Sequence, residues 1–483
     1  MPVLHPVLYE FLAAALHVLL AVVVSGHIVL TKQDVRAAIG WTGLVWLTPV
    51  VGALLYLLFG INRIRRQAGL MRRGRAVGEM NTAELAAYRG GVNSLPPDAP
   101  LSLRAIATLV GTATGLPLTA GNAVEPLVNG DAAYPAMLDA IDGACHSVAL
   151  ASFIFDHGWA GDRFVAALGR AVDRGVAVRV LVDGVGVRYG RPPITAALRK
   201  RGVPVARFLP PTLPLPTPYV NLRNHRKLLI VDGAVGFCGG MNIRDDNVLA
   251  LAPPAPTLDV HFRLQGPVVQ HLMSAFALDW AFTTREQLAG DAWYPALAPA
   301  GELAARGIPD GPDEDFETLL VTLLGALSQA TRSIRLATPY FLPDAPLIDA
   351  LRIAALRGVR VDIVLPERVN LILVQWAAMA QLAQVVRWGC RVFLSRPPFD
   401  HSKLLVVDGE WALIGSANWD PRSLRLNFEY GVECYSAPFA SRLDALLDAK
   451  IAASRPLTLG DLRRRSLVVK LRDGVARLAQ PYL

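Results

Sequence analysis

Two histidine–lysine pairs with the same spacing stand far apart in the chain. Each pair heads an eighteen-residue stretch, and the two stretches align without a gap. They are HRKLLIVDGAVGFCGGMN (residues 225–242), which opens with His225 and Lys227, and HSKLLVVDGEWALIGSAN (residues 401–418), which opens with His401 and Lys403. Nine of the eighteen positions are identical, among them the histidine, the lysine, an Asp-Gly pair and the final asparagine. This repeat indicates one structural unit that is used twice.

The spacing of polar residues in each stretch predicts which of them face a common side. In a strand, a histidine and a lysine two positions apart point the same way. Asp232 and Asp408 lie seven positions after their histidines, an odd spacing, and each precedes a glycine, as in a hairpin turn. We expect these aspartates to brace the hairpin rather than to touch a substrate. The return strands end at Asn242 and Asn418, which would bring two neutral hydrogen-bond donors back beside the histidines.

If the two repeats face each other across a two-fold axis, one site holds two histidines, two lysines and two asparagines. That set suits an anionic phosphodiester, because lysines and asparagines can stabilise charge on the non-bridging oxygens. One histidine can attack phosphorus while the other protonates the leaving alkoxide and later activates an incoming alcohol. We expect this chemistry to need no metal and no other cofactor, because the repeats offer no cluster of carboxylates for Mg²⁺. The alternatives are two separate copies, each with its own site, and polar residues that only cap strands.

A histidine that acts as a nucleophile needs an acceptor on its other ring nitrogen. Each half offers a carboxylate downstream of its motif: Asp259 in TLDVHF and Glu429 in NFEYGVE. We predict that these two residues orient the histidines. The alternative is that either one is a solvated surface charge.

The repeat extends upstream of the motifs and predicts the fold class. SVALASFIFD parallels SIRLATPYFL, RGVAVRVLVD parallels RGVRVDIVLP, and helical patterns lie between them. Alternating strands and helices predict an α/β protein with two tandem domains related by a pseudo-two-fold, each a β-sheet flanked by helices. The expected boundaries are 1–62 for two transmembrane helices, 63–120 for a linker, 121–300 for the first domain, and 301–483 for the second domain with a basic tail.

Two long apolar stretches open the chain and predict a membrane hairpin. Residues 11–30 and 39–61 contain no Lys, Arg, Asp or Glu, and each can span a hydrocarbon core of about 30 Å. Six arginines follow within residues 63–75, against only Lys32 and Arg36 between the stretches. The positive-inside rule then places both termini in the cytoplasm. A cleaved signal peptide is the alternative for the first stretch, but a basic segment before it is absent and a second span follows.

Composition bounds the remaining possibilities. The chain has 483 residues, 53% of them hydrophobic, and a net charge of +8, which suits an anionic lipid or nucleic acid as partner. The four cysteines form no C-x-x-C pair, so we predict neither a disulfide framework nor a zinc knuckle, and we expect the cysteines to be small buried residues.

Two other stretches each have two interpretations. The basic tail, residues 462–478, is either an amphipathic helix on anionic lipid or a helix packed on the catalytic domain with its charges in water. The proline-rich residues 209–221 form either an irregular loop or an apolar lip that dips toward lipid.

The sequence resembles the phospholipase D superfamily, whose His-x-Lys-x4-Asp signature stands here twice. More narrowly, it is similar to the bacterial cardiolipin synthases of the two-helix, membrane-anchored type. This likeness extends over almost the whole chain and includes WLTPVVGALLYLLFG, GGMNIRDD, LQGPVVQHLMSAFALDW, ATPYFLPD, GSANWDPRSLRLNFE and VARLAQPYL. The residues at the family's catalytic positions are His225, Lys227, Asp232, His401, Lys403 and Asp408. The segment before Asp259 departs from the family, because it lacks the usual Trp-Arg.

The resemblance implies a phosphatidyl transfer through a phosphohistidine. One phosphatidylglycerol gives its phosphatidyl group to an enzyme histidine, and a second one accepts it, giving cardiolipin and glycerol. By analogy with relatives the first histidine is the nucleophile, although the near-symmetry of the repeat leaves this open. The implied partners are phosphatidylglycerol and anionic membrane lipids, with no nucleic acid. The implied location is the bacterial inner membrane, with two spans and the catalytic domains on the cytoplasmic side.

Three alternatives to this reaction stay open. The same scaffold could use another donor lipid, or it could use water as acceptor and act as a phospholipid hydrolase. A membrane-tethered phosphodiesterase or nuclease is less favoured, because no aromatic residues interleave a basic groove for single strands. A non-enzymatic membrane scaffold would have no reason to keep both His-x-Lys pairs.

Overall fold

The computed structural model of the chain describes residues 6–32, 35–57, 95–210, 222–312 and 317–480. Contacts divide the chain into two compact units, one within residues 1–67 and the other within residues 68–483. Three features of the sequence lie outside the described residues: the six arginines within 63–75, residues 58–61 of the second apolar stretch, and residues 211–221 of the proline-rich stretch.

The N-terminal unit is helical. Its helices are α1 (Pro6–Thr31), α2 (Val35–Leu47) and α3 (Pro49–Leu55). Among the described residues, α1 alone is long and apolar enough to cross a membrane, since its 23-residue stretch Tyr9–Thr31 contains 18 consecutive residues with a mean hydropathy of 2.2. The structure therefore supports membrane association through the first predicted span.

The second predicted span is not one continuous helix within the described residues. The chain breaks between α2 and α3 at Pro49, which has no backbone N–H and suits the first turn of a new helix. Residues of this region pack against α1: the hydroxyl of Tyr56 lies 2.9 Å from Nδ1 of His27, and the indole nitrogen of Trp46 donates to Ser25 at 3.1 Å. The predicted hairpin is thus supported only in part.

A mixed sheet of 16 strands organises the second unit. Its strands follow the order β18-β13-β12-β11-β15-β16-β17-β10-β1-β9-β7-β6-β2-β3-β4, β5 pairs with β17 beside this path, and β14 and β8 form a separate pair. The strands are β1 (Thr119–Val128), β2 (Ser147–Ser152), β3 (Ala177–Asp183), β4 (Val205–Phe208), β5 (Arg223–Asn224), β6 (Leu228–Val231), β7 (Val235–Gly239), β8 (Thr257–Leu258), β9 (Val260–Gln265), β10 (Leu303–Asp310), β11 (Ser333–Ala337), β12 (Arg360–Pro366), β13 (Arg391–Ser395), β14 (Phe399–Asp400), β15 (Leu404–Val407), β16 (Trp411–Gly415), β17 (Asn427–Tyr435) and β18 (Ser454–Leu457).

The strand order is symmetric about the antiparallel β1–β10 pair. Outward from that pair, the first half runs β1, β9, β7, β6, β2, β3, β4, and the second half runs β10, β17, β16, β15, β11, β12, β13. The inner strands of both halves are antiparallel, and the outer pairs β2–β3 and β11–β12 are parallel. A parallel pair needs a crossover, which a helix supplies in each half. The predicted pair of α/β halves related by a pseudo-two-fold is confirmed.

Helices cover both faces of this sheet. They are α4 (Leu101–Thr114), α5 (Asn129–Asp142), α6 (Trp159–Asp173), α7 (Ile194–Lys200), α8 (Val268–Thr284), α9 (Thr318–Gln329), α10 (Ala345–Leu356), α11 (Ile372–Val386), α12 (Pro421–Arg425), α13 (Ala437–Ala452), α14 (Leu459–Arg464) and α15 (Leu467–Leu478). Side chains of β2 show how the layers form, since Ala149 and Ala151 face a core with α8 and α13, while Val148 and Leu150 face α5 and α6. The core around α8 and α13 contains residues of both halves and joins them.

The described part of the predicted linker is not a free connection. Helix α4 lies here, and its buried Ile106, Ala107 and Val110 belong to the core of the second half, where α4 packs on α9. Strand β1 then starts at Thr119. The interpretation of residues 63–120 as a linker therefore does not extend to α4.

Candidate active site

Both His-x-Lys pairs lie in extended links that lead into hairpins. His225 and Lys227 stand between β5 and β6, so they are just outside a strand rather than within one. The side chains still alternate in direction, as expected of extended backbone, because the side chain of the intervening Arg226 points away and is buried against α8. His401 and Lys403 occupy the equivalent link between β14 and β15.

Short parallel strands join each histidine to the other half. β5 ends directly before His225 and pairs with the start of β17, just before Glu429. β14 ends directly before His401 and pairs with β8, which ends just before Asp259. The backbone N–H of His225 donates to the carbonyl of the residue before Glu429 at 2.9 Å, and that of His401 donates to the carbonyl of the residue before Asp259 at 2.7 Å. Each histidine is therefore fixed by backbone that belongs to the opposite half.

Each imidazole is also held by a carboxylate of the opposite half. Nδ1 of His225 lies 2.9 and 3.0 Å from the two carboxylate oxygens of Glu429, and Nδ1 of His401 lies 2.9 Å from Asp259. Both carboxylate side chains are fully buried. When Nδ1–H donates to the carboxylate, the lone pair is left on Nε2. The geometry thus leaves Nε2 of both histidines to attack or to accept a proton.

Two further side chains hold the carboxylate of Glu429. The hydroxyl of Ser416 donates to it, and Nδ2 of Asn427 donates to its other oxygen at 3.0 Å. The position equivalent to Ser416 in the first half is Gly240. A Cβ there would lie 2.9 Å from both carboxylate oxygens of Asp259 and 3.0 Å from the side chain of Lys403. The glycine leaves room for the second half to approach.

The lysines lie beside the histidines and are buried. Nζ of Lys227 donates to the carbonyl of His225 at 2.6 Å, and Nζ of Lys403 donates to the carbonyl of His401 at the same distance. Nζ of Lys403 also lies 3.1 Å from Nε2 of His401. Within the described part of the chain, neither ammonium forms a salt bridge with a carboxylate. Both ammonium groups can bind an anionic ligand, and that of Lys403 lies next to Nε2 of its histidine.

Burial governs the titration of these four side chains. It lowers the pKa of His225 and of His401 to about 4, and the positive charge of the neighbouring lysines acts in the same direction. Burial lowers the pKa of Lys227 to about 7 and that of Lys403 to about 8. The charge of each lysine lowers the pKa of the histidine in the other half as well, so the two motifs share one electrostatic environment. Both histidines are neutral at pH 7.

The two carboxylates remain ionised. Burial acts to raise the pKa of Asp259, but the hydrogen bond from His401 and the charge of Lys403 outweigh it and hold the pKa below its usual value. Burial likewise acts to raise the pKa of Glu429, and His225 and Lys227 hold this pKa low. The charge of the two buried carboxylates is therefore balanced by the lysines, while the neutral histidines form hydrogen bonds with them.

The aspartates of the two motifs lie at the far end of their hairpins. The carboxylate of Asp232 accepts backbone N–H bonds from residues 145, 146 and 147 at 2.6 to 2.9 Å, and that of Asp408 accepts them from residues 331, 332 and 333 at 2.6 to 2.8 Å. Both residues have a positive φ, 51° and 55°, and each begins an Asp-Gly turn. Although the resemblance places them among the catalytic positions, the structure places them where they brace the hairpin.

The two asparagines close the return strands. The amide oxygen of Asn242 accepts a hydrogen bond from the backbone N–H of Ile154 at 3.1 Å, which leaves its NH₂ group for another acceptor. Asn418 is buried, and its amide oxygen has no hydrogen-bond partner among the described residues. Their contact with a phosphate stays a prediction.

Aromatic rings flank both histidines. The ring of Phe153 lies 5.1 Å from that of His225, centre to centre, and the rings of Phe399 and Tyr340 lie 5.8 and 6.3 Å from that of His401. The sequence motifs do not contain these residues, but SFIF and TPYF, in equivalent positions of the two halves, contain Phe153 and Tyr340. In both halves an aromatic residue follows a buried strand, and this pattern could have indicated that Phe153 and Tyr340 belong to the site.

The sequence motifs did not predict one buried ion pair beside the site. Arg226 lies between the histidine and the lysine of the first motif, and its guanidinium pairs with Asp279 of α8 at 2.9 Å. The same guanidinium donates to the backbone carbonyl of Glu429 at 2.9 Å. Arg226 is thus a positioning residue for the carboxylate that holds His225.

Other predictions about metals and thiols concern residues away from this site. No group of three or more His, Cys, Asp or Glu side chains that could hold a metal ion occurs within the described ranges. Cys238, Cys390 and Cys434 are free and buried, as expected, but Cys145 is exposed because it lies in the turn before β2.

Comparisons with known proteins agree with this architecture. The family profile described as "Cardiolipin synthase, PLD-like domain" matches residues 137–280 and 323–451, which are the two halves. A second profile, "Phospholipase D-nuclease N-terminal", matches residues 19–60.

Curated relatives cover nearly the whole chain. Cardiolipin synthase A of Pseudomonas fluorescens strain Pf-5 is 33% identical over 484 residues, with 99% of each chain covered. The major cardiolipin synthase ClsA of Bacillus subtilis is 32% identical over 478 residues, with 97% of each covered. The crystal structure of phosphatidylserine synthase from Haemophilus influenzae superposes with a TM-score of 0.62 at 16% identity, covering 80% of this chain and 100% of that one, which shows a shared fold. The chain therefore belongs to the cardiolipin synthase family of phospholipase D-type phosphatidyltransferases.

Proposed function

We propose that the chain transfers the phosphatidyl group of one phosphatidylglycerol to the glycerol hydroxyl of another, giving cardiolipin and glycerol. The observation that carries this proposal is the crossed pairing of His225 with Glu429 and of His401 with Asp259, which presents two Nε2 atoms to one site. The full-length relatives that are named cardiolipin synthases support the choice of substrate.

The first step forms a phosphohistidine. Nε2 of one histidine attacks phosphorus, and the bond from phosphorus to the headgroup glycerol oxygen breaks. The other histidine, protonated when the anionic lipid binds, gives its Nε2 proton to that oxygen, and glycerol leaves. We assign the attack to His225 by analogy and the proton transfer to His401.

The second step reverses the roles. The free glycerol hydroxyl of a second phosphatidylglycerol gives its proton to Nε2 of His401, and its oxygen attacks phosphorus. The phosphorus–nitrogen bond then breaks, and the electron pair returns to His225. Lys227 and Lys403 stabilise the non-bridging oxygens in both steps, and Asn242 and Asn418 donate to them. Asp259 and Glu429 orient the imidazoles, while Asp232 and Asp408 hold the hairpins that carry them.

We also propose a membrane-anchored arrangement for this activity. Helix α1 would form one span of a bacterial inner membrane, and the segment that contains α2 and α3 would form the other. Residues 121–300 and 301–483 would then be catalytic domains on the cytoplasmic side. The arginines of residues 63–75 support this orientation through the positive-inside rule. Phosphatidylglycerol and other anionic lipids are then the partners in the plane of the membrane, and no nucleic acid is required.

The test is a reaction with purified full-length protein in detergent micelles of phosphatidylglycerol, in which released glycerol and lipid products are both followed. We expect one glycerol for each cardiolipin, with no loss of rate when a chelator is added. Phosphatidic acid without cardiolipin would overturn the transfer in favour of hydrolysis. Cleavage of DNA or bis-p-nitrophenyl phosphate with no lipid product would favour a nuclease.

A further inference from the structure

Helix α15 has an apolar stripe that faces away from the protein. The stripe follows helical spacing, so its members share one side of the helix. We call it the α15 stripe, and its members, with their exposed fractions, are Leu467 (71%), Val468 (75%), Leu471 (59%), Val475 (66%) and Leu478 (77%). Side chains of this type are rarely exposed together in such a row.

The opposite side of α15 is the one that packs on the catalytic unit. Ala476 is buried in a cluster with Leu342 and Ala377, and Asp473 is also buried. Asp473 is neutralised by Arg465 and Arg472. The exposed stripe is therefore not the packing face of a helix that has lost its partner, because that face is already covered.

Contacts between α15 and α11 set the direction of the pair. The guanidinium of Arg472 lies 4.3 Å from the ring of Trp376. Further along α11, the amide of Gln381 donates to Gln480, two residues beyond the end of α15, at 2.7 Å. The two helices thus run the same way, and their amino-terminal ends lie together. Three exposed apolar residues stand at that end of α11: Leu371 (51%), Ile372 (57%) and Leu373 (50%).

This end of the pair adjoins the candidate active site. The residue before Leu371 is Asn370, whose amide oxygen accepts a hydrogen bond from the hydroxyl of Tyr340 at 2.5 Å. The ring of Tyr340 in turn lies 6.3 Å from the ring of His401. Only the side chains of Asn370 and Tyr340 therefore separate the exposed apolar residues 371–373 from His401.

Cations border the α15 stripe. The exposed basic residues of this segment are Arg463, Arg464, Lys470, Arg472 and Arg477. The two acidic residues of the same segment, Asp461 and Asp473, are already paired with arginines. A stripe of aliphatic side chains between cations matches an anionic phospholipid surface, which offers acyl chains below and phosphates above. A second protein copy would need matching carboxylates opposite these cations.

We propose that the α15 stripe and residues 371–373 form a docking surface that inserts into the interface of an anionic phospholipid bilayer. In this docked position, His401 and its side of the candidate active site lie level with the lipid headgroups. The inference goes beyond the transfer reaction, and its test needs no turnover. A failed test of docking is therefore distinguishable from a failed test of the reaction.

The experiment uses an environment-sensitive nitrobenzoxadiazole label on the full-length protein in phosphatidylglycerol vesicles. Cys145 is the exposed cysteine among the four, so the labelled variants are made in the C145S protein, which lacks that thiol. The label is placed at Val475→Cys on the α15 stripe, and the matched control label at Ala445→Cys. Ala445 is exposed on α13. This helix packs on the other face of the sheet from α11, because Phe439 of α13 shares a core with Val364 of β12, whereas α11 packs in the core that contains Ile363.

We expect the label at position 475 to shift to the blue and to be quenched by nitroxide-bearing lipids several-fold more than the label at 445. Adding Leu471→Glu should return position 475 to the control value without loss of thermal stability, because Leu471 is exposed. In vesicles of phosphatidylcholine alone, quenching at 475 should fall several-fold. Equal quenching at 475 and 445 would overturn the proposal. A blue shift without lipid quenching would also overturn it, since a second copy would then cover the stripe.

Discussion

Nδ1 of His225, in the first half of the sheet, lies 3.0 Å from Oε2 of Glu429, in the second half. The reciprocal pair, His401 and Asp259, has the same geometry at 2.9 Å. Neither half can therefore orient its own histidine, because the acceptor comes from across the pseudo-two-fold. The residues of each pair are more than 140 positions apart in the sequence, so the shared site is assembled only when the two halves pack together.

Removing either acceptor should slow catalysis at both steps. Glu429→Gln and Asp259→Asn keep the shape but replace a charged acceptor, so the imidazole loses its tautomer and orientation. We expect kcat to fall about 10²–10⁴-fold in each variant with KM changed little, by comparison with the orienting aspartate of serine proteases. Initial rates at varied surface concentration of phosphatidylglycerol measure both constants.

Glu302→Gln is the matched control, because Glu302 is exposed and far from the histidines in sequence. It should leave kcat and KM unchanged. A rise in KM without a fall in kcat in the Glu429 variant would assign that residue to lipid binding instead of histidine orientation.

The aspartates of the motifs should affect stability more than chemistry. Asp408→Asn removes a charged acceptor from three backbone N–H groups, and we expect a loss of about 1–3 kcal/mol in unfolding free energy at pH 7. The kcat of the folded variant should stay within a few-fold of wild type. Thermal unfolding in detergent micelles and initial rates give the two quantities.

The stabilisation by Asp408 should depend on pH in a defined direction. Burial acts to raise its pKa, but the backbone N–H bonds outweigh burial and hold the folded pKa below the ordinary value of about 3.9. The contribution is therefore complete above that value and is lost as pH falls through the folded pKa. A difference between wild type and Asp408→Asn that grows on acidification would contradict this role.

Much of this arrangement follows from the repeat in the sequence. The duplicated pattern predicts the two α/β halves, and the Asp-Gly pairs at 232 and 408 predict the hairpins that the structure contains. The odd spacing from histidine to aspartate predicts that these carboxylates point away. These features are local, so spacing along the chain suffices to derive them.

The crossed pairing could not be predicted in the same way. It depends on β5 and β14, two-residue strands that leave no periodic signal, and on their pairing with the opposite half. The partner of Arg226 is equally remote, since Asp279 lies on α8. The packing of α4 also depends on tertiary contacts rather than on hydropathy. The break at Pro49 is a local effect of proline, which a hydropathy pattern does not register.

The lysines should set the alkaline limb of the pH profile. Lys227 and Lys403 have pKa values lowered by burial to about 7 and about 8, and they must be charged to bind a phosphodiester. We therefore expect kcat/KM to fall as pH rises through about 7 and about 8, the two pKa values. The limb of kcat should lie at higher pH, because the bound anion stabilises the ammonium groups. The two profiles, measured from neutral to alkaline pH, check this, and coincident limbs would contradict it.

The most direct test of the shared site is the rate of glycerol release from phosphatidylglycerol by His225→Ala and by His401→Ala, each as full-length protein. Both imidazoles serve one reaction, so each single variant should fall to the background rate while its thermal unfolding stays near that of wild type. If either variant kept about half of the wild-type rate, each half would hold its own independent site, and a site shared across the pseudo-two-fold would be contradicted.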